Sequence, residues 1–153
     1  MKSRSYLLLI CLFALIFGCQ TSVLEKNLPA VINEAFKTKY PQAQKISWSS
    51  QDTDKFKVDF SFKNEKISSV FSSDGKWILT EKKIITSKLP STVLNTIQNG
   101  FGDYNIQSIK QVESAYPGNY YSIKLKNGNK QITLNLSHDG VILNDADTKR
   151  DQN

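Results

Sequence analysis

An alternation of apolar and polar residues constrains the fold of this chain more than any other feature of its sequence. Within residues 55–63 every second position is apolar, namely Phe56, Val58, Phe60 and Phe62. Successive side chains of a strand point to opposite faces, so this period of two predicts a β-strand with one buried and one solvated face. Turn signals at residues 64–66 and at Asp74-Gly75 flank a second apolar segment, which predicts a β-hairpin.

The same arrangement recurs farther along the chain. Apolar residues alternate again in residues 120–136, around a turn signal, and an Asp-Gly turn follows at residue 139 as one does at residue 74, an offset of 65. A Leu-Pro pair also opens each copy, at Leu28 and at Leu89, before an apolar stripe with helical spacing. A repeat of this length indicates a duplicated unit.

We therefore predict an α+β fold: a tandem repeat of a helix plus a four-stranded antiparallel sheet, with the helices packed on one sheet face. The repeats are residues 28–84 and 89–144, within a single domain of residues 28–145. A unit of roughly sixty residues buries too little apolar surface to offset its conformational entropy alone. The two sheets are therefore expected to join edge to edge.

Two strands call for a more detailed prediction. In the fourth strand, Trp77 and Leu79 are predicted to point inward, and Ile78 and Thr80 to point outward. In residues 106–113 the apolar positions do not share one alternating face, so a β-bulge is predicted there.

The N-terminus is typical of a targeting segment. In residues 1–18, Lys2 and Arg4 precede an apolar run that is too short to span a bilayer comfortably, which predicts a signal peptide. Residues 15–19 resemble a bacterial lipobox. The resemblance implies cleavage before Cys19 and attachment of lipid to that residue; the alternative is a plain secretory signal.

These assignments predict the boundaries and the location of the mature chain. Residues 19–27 would be a tether and residues 146–153 a polar tail. Cys11 would leave with the signal peptide, so the mature domain is expected to fold without a disulfide. Several acyl chains anchor a protein firmly, so we expect a membrane partner through the N-terminal lipid. The predicted location is the cell envelope, at the outer membrane facing the periplasm.

Several short motifs follow one another in a set order. They are a Leu-Pro helix start, a Tyr-Pro stop at Tyr40, an Ile-Ser-Trp strand at Trp48, an Asp-Gly-Lys-Trp turn at Trp77 and a second Leu-Pro start. This order resembles the PepSY-like, β-lactamase-inhibitor-like (BLIP-like) lipoproteins of Bacteroidetes-type bacteria, over about residues 28–143. The resemblance implies helices on one sheet face and an open second face. In the inhibitor that gives the fold its name, the open concave face grips an enzyme. The second copy lacks tryptophan, so no aromatic grip is carried over.

No catalytic residue, metal site or cofactor is predicted. His138 is the single histidine and is expected at the surface, which excludes a His-based triad and a two-histidine metal site. Asp52, Asp54, Asp74 and Asp139 stand in turns, where aspartate bonds to nearby backbone. A weak calcium contact at Asp52 and Asp54 is the alternative. The 20 basic and 14 acidic residues are scattered, and without a nucleic-acid motif we expect no nucleic-acid partner.

The solvated face of the sheet is the remaining candidate site. We predict that it binds an envelope protein or peptide through Lys57, Asp59, Ile78, Tyr120, Ser122, Lys124 and Thr133. Tyr120 and Ile78 would be anchors within a polar rim. One alternative is a carrier or sensor that holds a small molecule or cell-wall fragment in a cavity between sheet and helices. Another is an accessory lipoprotein whose sheet edge accepts a partner's strand. An enzyme is not predicted.

Overall fold

The computed structural model describes residues 28–143, which contain two α-helices and seven β-strands. The first unit consists of α1 Ala30–Lys39, β1 Gln44–Ser50, β2 Lys55–Phe62, β3 Glu65–Ser72 and β4 Trp77–Ile84. After a 3-10 turn at Thr86–Lys88, the second unit consists of α2 Ser91–Phe101, β5 Asn105–Ser114, β6 Tyr120–Asn127 and β7 Lys130–Ser137. The predicted signal peptide, the lipidated Cys19, the tether and the polar tail lie outside the described residues.

The seven strands form one antiparallel sheet whose spatial order follows the sequence from β1 to β7. Strands β4 and β5 pair from Leu79↔Ser114 to Ile84↔Ile109, so the sheet runs without a break from the first unit into the second. The predicted α+β class and the edge-to-edge joining of the two sheets are thus confirmed. The sheet is wide because each unit extends the other.

Prolines determine where both helices begin. Pro29 directly precedes α1 and Pro90 directly precedes α2. Proline has no N–H, and this costs no hydrogen bond at a helix start because N–H groups there have no intrahelical acceptor. The Pro29 carbonyl accepts a hydrogen bond from the Ile32 N–H at 3.1 Å, which closes the first turn. Helix α1 ends before Tyr40, because the residue preceding Pro41 is pushed out of helical geometry.

Both helices pack on the same face of the sheet. Cross-strand pairing carries this face along the sheet, with Phe56 opposite Phe71 in the first unit and Ile109 opposite Ile123 in the second. The first core consists of Ile32, Phe36, Tyr40, Trp48, Val58, Phe60 and Phe71. The second core consists of Leu89, Val93, Ile97, Ile109, Tyr121, Ile123, Leu125 and Leu136. The alternating positions of β2 and β6 therefore bury the side predicted from the sequence.

The second unit has three strands within the described residues, not the four predicted. After the turn at Gly140 the chain forms only an isolated bridge, Leu136↔Ile142. The side chains of Val141 and Ile142 are 61% and 45% exposed. Because both side chains are largely exposed, the pairing of residues 141–143 with β7 buries little apolar surface.

A β-bulge reverses two of the side-chain directions predicted for β4. Phe71 pairs with Trp77 but Val70 pairs with Leu79, so Ile78 is an extra residue on β4. One inserted residue moves every later side chain to the other face. Leu79 therefore points away from the helices and Thr80 toward them, opposite to the prediction.

Other details of the strands follow the prediction. Trp77 packs against the first core, on the helix side of the sheet. A register shift between Ile106 and Ser108 confirms the predicted bulge in β5. Helix α2 begins directly after Pro90, as the second Leu-Pro pair predicts.

Candidate binding face

We call the sheet face turned away from both helices the open face. Six of the seven predicted contact residues lie on it by register, and they come from three strands: Lys57 and Asp59 on β2, Tyr120, Ser122 and Lys124 on β6, and Thr133 on β7. The seventh, Ile78, is the bulge residue of β4 and is half-buried, outside this register. Its carbonyl accepts a hydrogen bond from the Ala115 N–H at 2.9 Å.

The structure divides the predicted contacts into two groups. Strands β2 and β6 are separated by β3, β4 and β5. At about 4.8 Å per strand, the β2 group and the β6–β7 group lie roughly 19 Å apart. They can belong to one extended interface but not to one small-molecule site.

The centre of the open face is apolar and largely covered. Val70, Leu79, Val112 and Tyr120 run diagonally across β3 to β6, and we call them the apolar strip. Val112 is 2% exposed and Val70 is 6% exposed. The solvated character predicted for this face therefore holds at its two sides but not at its centre.

A hydroxyl at one end of the apolar strip holds the β5–β6 loop. The Oγ of Ser114 lies 2.9 Å from the carbonyl oxygen of Tyr116 and 2.8 Å from that of Gly118. Ser114 is itself buried. The loop is thereby kept beside the apolar strip and closes that end of the open face.

A groove of about 710 Å³ lies beside the apolar strip, across β1 to β5. We call it the lysine groove. Most of its lining residues stand on the open face, whereas Phe60, Glu65, Ile67 and Lys82 belong to the helix side by register. Its cationic lining residues are Lys45, Lys57, Lys66, Lys82, Lys83 and Lys110, and its acidic ones are Asp59, Glu65 and Glu81. Hydroxyl groups of Ser47, Ser61 and Ser68 complete the polar lining. Six lysines against three carboxylates make the groove positively charged.

Three ion pairs account for the carboxylates of the lysine groove. Lys57 Nζ lies 3.3 Å from Asp59 Oδ1, Lys82 Nζ lies 3.0 Å from Glu65 Oε2, and Lys110 Nζ lies 2.7 Å from Glu81 Oε1. The Ser68 hydroxyl also donates to Asp59.

Three lysines of the groove have no carboxylate partner among residues 28–143: Lys45, Lys66 and Lys83. Lys45, Lys66, Lys83 and Lys110 were not among the predicted contacts. They lie on different strands, and no local motif marks them.

Asp52 and Asp74 make hydrogen bonds within their turns, as predicted. Asp52 Oδ1 accepts a hydrogen bond from the Asp54 N–H at 2.9 Å. The hydrogen bond and ion pair with Lys76 at 2.8 Å, together with the Ser72 hydroxyl, lower the pKa of Asp74 to about 2.

Among residues 28–143, the histidine and the turn aspartates do not come together in a metal site. The His138 side chain is exposed, 4.0 Å from Asp139. Within residues 28–143, no three His, Cys, Asp or Glu side chains come close enough to hold a metal ion. Neither helix of this range has the length and apolar character needed to cross a bilayer.

The fold and the open face define a class of protein: an antiparallel sheet backed by helices on one side, with the open face on the other. A family model described as "Putative beta-lactamase-inhibitor-like, PepSY-like" matches the chain over residues 18–65 and 54–144. The chain therefore belongs to this PepSY-like family, as the order of its motifs predicts.

Solved structures of similar fold come from Bacteroides. A BLIP-like protein from Bacteroides fragilis NCTC 9343 is 22% identical with a TM-score of 0.67, over 76% of this chain and 83% of that one. A DUF2874 family protein from Bacteroides ovatus ATCC 8483 is 23% identical with a TM-score of 0.68, over 76% and 84% of the two chains. A "putative periplasmic" protein from Bacteroides eggerthii DSM 20697 is 22% identical with a TM-score of 0.68, over 76% and 86%.

At these identities the solved structures establish the fold alone. No curated protein sequence matches the chain. The family and the Bacteroides fragilis structure are inhibitor-like by name, and no catalytic family is indicated.

Proposed function

We propose that this protein is a lipid-anchored binding or inhibitory module of the cell envelope. It recognises a protein or peptide through the open face and carries out no reaction. The observation that carries the proposal is the position of Leu79 and Tyr120, the two half-exposed residues of the apolar strip, on the same face as the lysine groove. Protein interfaces combine an apolar centre with a polar, partly charged rim, and this face has both.

The two-unit architecture supports a broad interface. Strands β2 and β6 begin 65 residues apart and have eight residues each, and their buried residues correspond: Val58 with Ile123 and Phe60 with Leu125. We infer that the sheet arose by duplication of a helix-plus-sheet unit. Joining the second unit widens the open face from four strands to seven.

A carrier function is less well supported. A carrier needs a cavity between sheet and helices, whereas the two cores fill that space with buried side chains. A second cavity of about 500 Å³ lies at the turns around β1 and β2, lined by Gln42, Ala43, Gln44, Ser61, Lys63 and Asn64. No residue of α1 or α2 lines this cavity or the lysine groove.

The addition of a partner's strand is a second mode of binding that one observation favours. Residues 141–143 cover part of the outer edge of β7 through the Ser137 N–H···Val141 O and Leu143 N–H···Asn135 O hydrogen bonds, at 2.9 and 2.8 Å. The outer edge of β1 pairs with no strand among residues 28–143. An exposed edge can accept a strand through its main chain. Pairing at β1 would place the partner next to the lysine groove.

The proposal is tested by capture of partners from an envelope extract. The variant Lys57→Ala/Tyr120→Ala/Lys124→Ala alters both sides of the open face, whereas the matched control Lys37→Ala/Asn95→Ala/Gln98→Ala alters exposed residues of the two helices. A partner retained by the wild type and the control but lost from the open-face variant is the expected result. Equal retention of the partner by all three proteins would exclude the open face as its binding site.

Lipid anchoring is tested separately, at Cys19. The expected result is that wild type stays in the membrane fraction and that Cys19→Ala moves to the soluble fraction, because the acyl chains would have no attachment site. Metabolic labelling with a fatty acid provides the direct measurement. Membrane retention of an unlabelled Cys19→Ala protein would refute the anchor without affecting the proposed binding face.

A further inference from the structure

We propose that the lysine groove binds an extended acidic segment of the protein partner. This inference rests on the proposed function and adds the chemistry that the partner must present. It rests on which lysines lie opposite each other on neighbouring strands.

Three lysines occupy adjacent positions on three neighbouring strands. Lys83 is paired directly with Lys110 across β4 and β5. Ile67 is paired with Lys82, which places Lys66 of β3 beside Lys83 at the next position. Antiparallel partners carry their side chains on the same face, so all three lysine side chains leave the sheet on the open face, with Cβ atoms about 4.5–5.5 Å apart from one strand to the next.

This row of lysines is unfavourable in the free protein. Like charges directly opposite each other across two strands destabilise a sheet. Lys110 forms an ion pair with Glu81, with 2.7 Å between Nζ and Oε1, while Lys66 and Lys83 have no carboxylate partner among residues 28–143. A ligand that brings negative charge to this position would remove the repulsion. The row therefore costs stability in the free state and gains it back on binding an anion.

A bulge in β1 extends the charge to the sheet edge. The register of β1 shifts between Gln44 and Ser47, and Lys45 within the bulge has a positive φ of 53°. A bulge redirects a side chain relative to the regular strand. Lys45 consequently lines the groove and adds a third cation without a carboxylate partner in the described chain.

The spacing of the lysines fits a peptide better than a small anion. From β1 to β5 the row spans four strand separations, about 19 Å, and an extended chain of six residues covers about 20 Å. One small anion would reach only two of these amines. Lysine acts as a point charge and suits single carboxylates, and the serine hydroxyls along the groove can donate to peptide carbonyls.

The test measures fluorescence anisotropy of a labelled hexaglutamate peptide with the full-length protein. Hexaglutamate should bind and should be released as salt increases, and hexaglutamine should not bind. The variant Lys66→Gln/Lys83→Gln should weaken binding roughly tenfold or more, because two charge-assisted contacts are lost. The matched control Lys37→Gln/Lys88→Gln removes two exposed lysines outside the groove and should bind hexaglutamate like the wild type.

Thermal unfolding adds a readout that a purely structural role would not produce. Because Lys66 and Lys83 repel each other, Lys66→Gln/Lys83→Gln should unfold at the same temperature as the wild type or at a higher one while it loses binding. A lower unfolding temperature would contradict the proposed repulsion and overturn the inference.

Other outcomes separate this inference from the proposed function. Equal binding of hexaglutamate by the variant and the wild type would overturn the lysine row as its site. A single-stranded oligonucleotide of equal charge that binds as tightly as hexaglutamate would show an unspecific polyanion surface and would also overturn it. If hexaglutamate does not bind but partner capture still depends on the open face, only the acidic segment is refuted. If both fail, the proposed function is refuted as well.

Discussion

The first helix packs on an aromatic core and the second on an aliphatic one. The ring of Phe36 on α1 lies between those of Trp48, Phe60 and Phe71, with centroid distances of 5.3, 5.0 and 6.2 Å and edge-to-face angles. Beneath α2, the second core is built mainly of valine, isoleucine and leucine. The same arrangement of helix and strands thus accommodates two packing chemistries, provided that each fills its own volume.

The two cores also differ in polarity. Thr80 Oγ1 accepts from the Trp77 indole N–H at 2.9 Å and lies 3.0 Å from Ser69 Oγ and 2.5 Å from the Tyr40 hydroxyl. At the position equivalent to Ser69, 65 residues later, the second unit has Leu134, which packs on its core. The first unit therefore combines ring packing with a buried hydroxyl cluster, and the second relies on aliphatic burial. The bulge at Ile78 directs the Thr80 side chain toward the helix side, where it joins this cluster.

The largest effect is expected from cavities in the two cores. Phe60→Ala should lower the free energy of unfolding by about 3–5 kcal/mol, and Leu125→Ala, at the equivalent position of β6, by about 2–5 kcal/mol. Phe60 loses ring contacts with Phe36 and Tyr40, at 5.0 and 4.6 Å, as well as apolar burial. Urea unfolding measures both. A nearly neutral Phe60→Ala would contradict the assignment of the buried face.

A smaller and unequal effect is expected at the two Asp-Gly turns. Both glycines have positive φ, 84° at Gly75 and 81° at Gly140. A Cβ on Gly140 would lie 2.6 Å from the carbonyl oxygen of Thr92, on the backbone of α2, whereas on Gly75 its nearest contact is the Val31 side chain at 2.8 Å. Gly75→Ala should therefore cost about 1–2 kcal/mol and Gly140→Ala about 2–3 kcal/mol.

The relative cost of Gly75→Ala and Gly140→Ala tests how each turn lies against its helix. A side chain can rotate away from an added methyl group but the helix backbone cannot, so the order of the two costs is the result to examine. Thermal unfolding of the two alanine variants measures it. If Gly75→Ala were the more destabilised variant, the turn of the second unit would not be held against α2 as described.

The smallest effect concerns pH and is confined to the first core. Burial raises the pKa of Tyr40 above its ordinary value of 10.0. The unfolded chain then loses its tyrosine proton before the folded one does, so stability should decrease as the pH rises from about 10 toward the folded pKa. Tyr40→Phe should lose about 0.5–1.5 kcal/mol at neutral pH, with the hydrogen bond to Thr80, and should show a weaker decrease at alkaline pH.

Urea unfolding of wild type and Tyr40→Phe between pH 7 and pH 11 provides this measurement. The difference between the two proteins isolates Tyr40 from the other tyrosines, which titrate in both. Identical alkaline slopes would mean that Tyr40 has no raised pKa in the fold.

Most of the fold was predictable because it depends on near neighbours in the chain. The alternation of Phe56, Val58 and Phe60 determines which side of β2 is buried, and the prolines before α1 and α2 determine where the helices begin. Six of the seven predicted contacts lie on the predicted face for the same reason. The exception, Ile78, could not be placed because its bulge depends on how β4 pairs with β3.

The unpredicted part of the candidate site is made of long-range pairs. Lys66 and Lys83 are 17 residues apart and have no pattern that links them. Their proximity depends on the register of β3 against β4, and that of Lys110 on the register of β4 against β5. The burial of Val70 and Val112 on the open face likewise depends on strands that are distant in sequence.

The sequence by itself determined the family, the α+β class, the two helix starts and the buried side of each central strand. These properties follow from the spacing of residue types within a few positions, which local backbone geometry converts directly into direction. Only the tertiary structure decided the bulge at Ile78, the three strands of the second unit within residues 28–143 and the row of lysines. Each of these depends on which residues of separate strands meet, and pairing between strands is a property of the whole sheet.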